Sequence, residues 1–181
     1  MERSQAGFPA GKLVKQRMNV DYEPPFPLAG PPMSAALHLA KADDLHRLQK
    51  LVAAFHQSEG IEQSDEDRAA ALTPLLEGTP HGAAYLIGPK NGPVGYIVVS
   101  FGYSVEMGGI DGFIDEFYIR ENVRGRGMGG EVLRTLMPAL ADYGVKALHL
   151  EVMRDNEGAK RLYTRLGFTA RDDYHLMTRR F

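Results

Sequence analysis

Arg124-Gly125-Arg126-Gly127-Met128-Gly129-Gly130 is the stretch from which the rest of the chain can be read. Four glycines fall between positions 125 and 130, with two arginines beside them. Downstream, Met128, Val132, Leu133, Leu136, Met137 and Leu140 recur with helical spacing, so a helix should begin near Gly127. Upstream, Phe113 to Ile119 reads as a strand. A glycine loop between a strand and a helix start lets main-chain N–H groups approach a ligand, and the helix dipole adds positive character. Arg124 and Arg126 bring charge suited to phosphate oxygens, so a pyrophosphate is the expected guest. Gly125-x-Gly127-x-x-Gly130 also matches the dinucleotide fingerprint, with Glu151 about 20 residues on, where a ribose-binding acid belongs. That reading, of a dinucleotide-dependent oxidoreductase, asks for several further strand-helix-strand units. Only 51 residues follow Gly130.

Working outward, Leu37 and Leu39 suggest a short first strand. Asp43 or Asp44 opens a helix with its apolar stripe at Leu45, Leu48, Leu51, Val52 and Phe55. Ser64 with Asp67 resembles a capping box for a second helix running to Leu76. Residues 83–87 and 94–101 read as strands joined through Lys90-Asn91-Gly92, a hairpin turn. Beyond the glycine loop, 147–152 is a strand, 156–166 a helix and 176–179 a last strand. Pro138 should kink or end the post-loop helix about a turn after Arg134. Three strands in succession predict an antiparallel meander, and the strand-helix-strand from 113 to 152 predicts one parallel pair. The expected fold is α/β: a mixed, mostly antiparallel central sheet with helices on both faces.

The 181-residue chain suits one domain with its own core. Residues 1–33 stand apart: six of the 11 prolines lie there without apolar periodicity. They are expected to be a flexible leader before a single domain at 34–181, and Met33 offers an alternative start. Lys and Arg total 21 against 23 Asp and Glu, a net charge of -2, which disfavours a dedicated nucleic-acid binder. No apolar run approaches the ~20 residues of a membrane helix, and residues 1–10 show no signal pattern. There is no cysteine, so disulfides and thiol nucleophiles are excluded, and no His, Asp or Glu set has metal-ligand spacing. A cytoplasmic protein without a metal is expected.

Arg124-x-x-Gly127-x-Gly129 is also the pattern R/Q-x-x-G-x-G/A, and here the chain resembles the GNAT superfamily of acetyl-CoA-dependent N-acyltransferases. A second signature lies in Asn156-Glu157-Gly158-Ala159-Lys160-Arg161-Leu162-Tyr163-Thr164-Arg165-Leu166-Gly167-Phe168. It is similar to the family's N-x-x-A-x-x-L-Y-x-x-x-G-F at every named position. The resemblance covers roughly Ala35 to Phe181 and is strongest from 113 to 168. It implies acetyl transfer from acetyl-CoA to a primary amine, by direct attack in a ternary complex. The acceptor, a small molecule or a peptide, is unspecified. A coenzyme A-binding sensor without an acceptor pocket is the alternative, and a homodimer is compatible with the family.

The resemblance also implies residue roles. Phe117, Tyr118 and Ile119 at the strand end, the loop of Arg124, Gly125, Arg126, Gly127, Met128, Gly129 and Gly130, and Asn156 would contact the coenzyme. Asn156 is a good helix N-cap as well. Tyr163 would protonate the departing thiolate, although Ala159, Leu162, Tyr163 and Leu166 also form an apolar stripe that could bury it. Asp115 and Glu116 interrupt an apolar strand, and adjacent strand residues face opposite sides. One of them should meet the acceptor and take its proton. Glu116, which shares a face with Tyr118 and reaches further, is favoured as that base, with Asp115 as a substrate contact. Phe55, His56 and Glu59 lie where related enzymes shape the acceptor site; Phe55 and Glu59 are candidates, and His56 reads as an ordinary core or surface histidine.

Overall fold

The structure, a computed structural model, describes residues 36–181. The leader expected at 1–33, and residues 34 and 35 of the domain, lie outside the described residues. Element order is β1 (Leu37–Leu39), α1 (Leu45–Glu59), α2 (Asp65–Leu76), β2 (Gly82–Ile87), β3 (Gly95–Ser104), β4 (Gly109–Ile119), α3 (Met128–Asp142), β5 (Ala147–Leu150) and α4 (Glu157–Arg165). The strands form one sheet in sequence order, antiparallel from β1 to β4 and parallel between β4 and β5. Both the meander and the single parallel pair match the reading from spacing.

Helices cover both faces because the strands are apolar on both. On one face Tyr85, Ile87, Ile97, Val99 and Ile114 pack with Val132, Leu133, Leu136 and Leu140 of α3. On the other, Ala84, Leu86, Tyr96, Val98 and Tyr118 pack with Leu48, Leu51 and Val52 of α1 and Leu72 and Leu76 of α2. Alternate residues of β2 and β3 thus feed opposite cores, as the two-residue period of a strand requires. Ser64 Oγ accepts from the Asp67 amide at 3.0 Å, the expected cap of α2. The Gly92 amide donates to the Pro89 carbonyl at 2.9 Å, closing the hairpin turn.

Three expectations need correction. The helix after the glycine loop does not end near Pro138; α3 runs on to Asp142. Pro138 is exposed while Leu136 and Leu140 on either side of it are buried, so apolar packing outweighs one missing hydrogen bond. No strand forms at 176–179: Leu176 and Met177 are 72% and 91% exposed. Neighbouring apolar residues would point to opposite sides of a strand, and Thr178-Arg179-Arg180 continues neither face. Finally, β5 stops at Leu150 rather than 152, and β4 starts at Gly109, four residues before the expected Phe113.

Leu136 is fully buried between α3 and the sheet. Leu136→Ala is expected to lower stability by about 2–5 kcal/mol, through lost burial and a residual cavity. Urea unfolding measures it, and a loss under about 1 kcal/mol would mean that α3 is not packed as described.

Candidate active site

The site is built where β4 and β5 part company. They pair only from Asp111 with Ala147 to Ile114 with Leu150. One further step of that register would set Asp115 beside Glu151, two like charges in neighbouring positions of a ladder, which is unfavourable. At the same point β4 carries a bulge against β3: Val98 faces Glu116 and Val99 faces Ile114, leaving Asp115 as the extra residue. The bulge moves the alternation by one. Ile114, Phe117 and Ile119 belong to the α3 face, while Glu116 lies with Tyr96 and His56 and Tyr118 packs on the α1 side. Past Ile114 the β5-facing edge of β4 is open.

The glycine loop lies just past the end of β4. Gly125 and Gly127 have φ of 78° and 81°, a left-handed conformation that glycine adopts without penalty. Gly127 caps α3 with no side-chain hydrogen bond. From 125 to 130 no main-chain N–H has a partner among the described residues. Six consecutive amides are therefore free at a helix start, the donor set an anion needs. A Cβ at Gly125 or Gly127 would meet nothing within 4 Å, so the space over the loop is open. At Gly129 a Cβ would come 3.3 Å from Leu162, so this glycine lets α4 pack against the start of α3.

The arginines divide their work. Arg124 Nε donates to the Ile119 carbonyl at 2.6 Å, and its guanidinium lies 5.4 Å from the centre of the Tyr118 ring. It ties the loop to the end of β4 and keeps positive charge there. Arg126 is exposed and unpaired among the described residues. Arg134, one turn into α3, lies with its guanidinium about where a Gly130 Cβ would touch it, at 3.3 Å. In the sequence, only its place one turn past Gly130 on the helix that leaves the loop pointed to this third arginine.

Asn156 caps α4, its Oδ1 accepting from the Ala159 amide at 3.0 Å. Tyr163 packs against the α3-side core and meets Phe168 edge-on at 5.6 Å. Burial raises its phenol above the ordinary tyrosine range, so it holds its proton at neutral pH.

Around the end of α1 and the bulge of β4 the structure gathers Asp115, Glu116, Phe55 and Tyr118 but not Glu59, which is exposed and unpaired among the described residues. Two residues not chosen from the sequence complete the group. His56 is 6% exposed and its Nε2 lies 2.7 Å from Glu116 Oε1. The Tyr96 hydroxyl donates to Glu116 Oε2 at 2.6 Å. Burial and then the Glu116 charge push the Tyr96 phenol upward, so it remains the donor. The signal for His56 was there: it falls four residues after Val52, on the buried stripe of α1, where a polar residue needs a partner. Asp115 reaches solvent, yet the protein around it removes enough water to raise its carboxyl above the usual range. Glu116 and Glu151 raise it further and His56 opposes them.

A family model, the Acetyltransferase (GNAT) family, matches residues 45–168. The chain belongs to the GNAT acetyltransferase family. Spermine/spermidine N(1)-acetyltransferase of Bacillus subtilis (strain 168) is 39% identical over 57 residues, covering 31% of this chain and 38% of that one. The curated relatives are matched over 30–48% of their own length. An integron cassette protein from the mobile metagenome of Cole Harbour Salt Marsh superimposes with a TM-score of 0.70 at 32% identity, over 79% of this chain and 89% of that one. A predicted acetyltransferase from Clostridium acetobutylicum, solved with acetyl-CoA, shares the fold (TM-score 0.65, 16% identity, 80% and 96% covered). With one parallel strand pair, the sheet of this GNAT protein also lacks the repeated strand-helix-strand units of a dinucleotide fold. Among the described residues no group of acidic or histidine side chains is arranged to hold a metal, and no helix is long and apolar enough to cross a membrane.

Removing the α4 cap tests one piece of this architecture. Asn156→Ala is expected to lower stability by about 1 kcal/mol. Urea unfolding together with amide exchange in α4 checks it; unchanged exchange at Ala159 would mean that the cap contributes nothing.

Proposed function

We propose that the protein transfers an acetyl group from acetyl-CoA to the primary amine of a small cationic acceptor, with both substrates bound at once. The observation that carries this reading is the run of six unpartnered main-chain amides at 125–130, opening onto the gap between β4 and β5. A diphosphate suits those amides, with Arg124, Arg126 and Arg134 supplying charge. The open edge of β4 from Asp115 to Ile119 offers main-chain groups to an amide-bearing arm, and Phe117 and Ile119 line it from the α3 side. Asn156, at the head of α4, lies on a further element beside the gap and would contact the coenzyme arm while capping its helix.

Acceptor chemistry follows from the carboxylates. Asp115, Glu116 and Glu151 concentrate negative charge where β5 leaves the sheet, which favours an ammonium. The Bacillus subtilis relative, named for spermine and spermidine, supports a polyamine or similar cation over a neutral amine. Phe55 and Tyr118 would wall the apolar part of such a molecule. Glu59, one turn beyond Phe55, would be an outer contact.

The reaction needs one proton removed before attack and one delivered after it. Sequence spacing favoured Glu116 for the first task. With both Glu116 oxygens already engaged in hydrogen bonds, we assign it to orientation and charge, and give the first proton to Asp115, whose carboxyl is raised by its surroundings and, among the described residues, bears no hydrogen bond that must be given up. The free amine nitrogen then bonds to the thioester carbonyl carbon, and the carbon–sulfur bond breaks. Tyr163 gives its proton to the sulfur and recovers one, through solvent, from the nitrogen that has become amide. Net products are the acetamide, coenzyme thiol and one proton.

An amine panel read by released thiol is the direct test, and the lack of cysteine keeps that signal free of protein thiols. Release with small di- and polyamines supports the proposal. Binding of acetyl-CoA without release for any amine would favour the sensor instead. Arg124→Ala is expected to weaken acetyl-CoA binding about tenfold by calorimetry, the worth of one charge-assisted contact; unchanged affinity would count against the loop. Tyr163→Phe should lower kcat by about a hundredfold or more while affinity holds. An undiminished kcat removes Tyr163 from the acid role.

A further inference from the structure

His56 is left over by the reaction scheme, and its surroundings single it out. It is a buried histidine in the last turn of α1, 60 residues from Glu116 in sequence, yet bonded to it at 2.7 Å. The Tyr96 hydroxyl donates to the other oxygen, so both oxygens of Glu116 are engaged, one by Tyr96 and one by His56 Nε2. His56 Nδ1 is buried without a partner among the described residues. The Glu116 bond is thus the one polar contact that sets the orientation of the ring, and the ring in turn helps to set that of the carboxylate.

We propose that His56 is a positioning residue: with Tyr96 it engages both oxygens of Glu116 at the end of α1, and so leaves Asp115 as the carboxylate free to take the amine's proton. The inference rests on the acetyl-transfer reading for its consequence, not for its geometry. Asp115 is the bulged residue, with Glu116 next to it, so whatever fixes Glu116 also limits how the bulge can turn. Were Glu116 free of these bonds, either carboxylate could take the amine's proton and the ammonium would have two competing partners.

Charged and titratable groups reach the pair from several elements, and α2, packed against α1, carries Asp65, Glu66, Asp67 and Arg68. Tyr96 faces it from β3, Asp115 and Tyr118 come from β4, Glu151 follows β5, and Arg124 lies over Tyr118 from the glycine loop. Glu59 is the next acidic residue on α1 itself. Of these, Glu116 and Glu151 raise the Asp115 carboxyl and His56 acts in the opposite direction. The sign of the effect follows. Asp115 must be ionised to accept the amine proton, so activity falls as pH drops through its raised pKa. Removing the imidazole takes away that opposing influence, so Asp115 titrates at higher pH and the acid limb of the rate profile moves up with it.

The test uses the full chain and two variants. His56→Gln places an amide N–H near the position of Nε2 and keeps a hydrogen bond to Glu116 without the imidazole; His56→Ala removes both. Carbon-13 NMR titration of the Asp115 carboxyl, without substrate, should show it titrating at higher pH in both variants. The acid limb of kcat/KM for acetylation should move the same way. In His56→Ala, kcat should also fall about tenfold or more, because Glu116 is no longer held, with the glutamine variant recovering part of the loss. An Asp115 titration that does not move in either variant, or a kcat in His56→Ala equal to wild type, overturns the proposal. The NMR arm separates the two readings: a moved titration in a protein that acetylates no amine keeps the clamp and rejects the acetyl-transfer assignment. If His56→Ala does not fold by circular dichroism, the glutamine variant carries the test alone.

Discussion

The early parting of β4 from β5 is the constraint on which the other features of the site depend. Four residue pairs hold the two strands together, and the fifth would bring Asp115 against Glu151. Parallel pairing is slightly less stable per residue than antiparallel pairing, and a like-charge pair at a ladder position works against it. The bulge at Asp115 adds local twist at the same level. Two independent causes therefore open the sheet at one place. They leave a strand edge unpaired in the middle of the molecule, where unsatisfied main-chain groups are costly unless a ligand or solvent meets them.

The opened edge acts together with the helix that follows β4, and three contacts tie them. Arg124 bonds to the last carbonyl of β4, Gly129 admits Leu162 of α4, and Phe117 and Ile119 pack on the α3 face. The free amides are thus fixed relative to the gap by packing on one side and a charge-assisted hydrogen bond on the other. The glycines contribute conformation rather than stability, since Gly125 and Gly127 adopt backbone angles that other residues reach only with strain.

Much of this was legible in the residues. Periodicity identified the meander, the two-sided sheet and the amphipathic α3, because those signals are local and repeat. The glycine-arginine loop and the Asn156-to-Phe168 segment were legible as motifs. The bulge was not. Strict alternation along 113–119 places Ile114 and Glu116 on one face, whereas the extra residue puts them on opposite faces, and no composition cue marks it. The Glu116 contacts with His56 and Tyr96 were hidden for the same reason: they join α1, β3 and β4 across sequence separations of 60 and 20 residues. Pro138 misled because a local rule about one hydrogen bond was weighed without the burial of Leu136 and Leu140. The strand assigned to 176–179 failed for want of a partner, as a strand is a property of two chain segments and not of one.

Burial acts on the two ends of the proposed reaction in opposite ways. It raises Asp115, which makes that carboxylate a stronger base, and it raises Tyr163, which makes that phenol a weaker acid. A thiolate whose thiol has the ordinary pKa, about 8.5, is already about 2 kcal/mol short of taking a proton from an unperturbed tyrosine. Burial widens that gap, so in the resting protein Tyr163 does not give up its proton. Transfer becomes favourable only where a shortage of water raises the basicity of the departing thiolate as well, and once the attacking nitrogen has turned acidic enough to restore the phenol. The acid is therefore silent until carbon–sulfur cleavage is under way, whereas the base must act before attack. One physical effect, desolvation near the gap between β4 and β5, orders the two proton transfers in time.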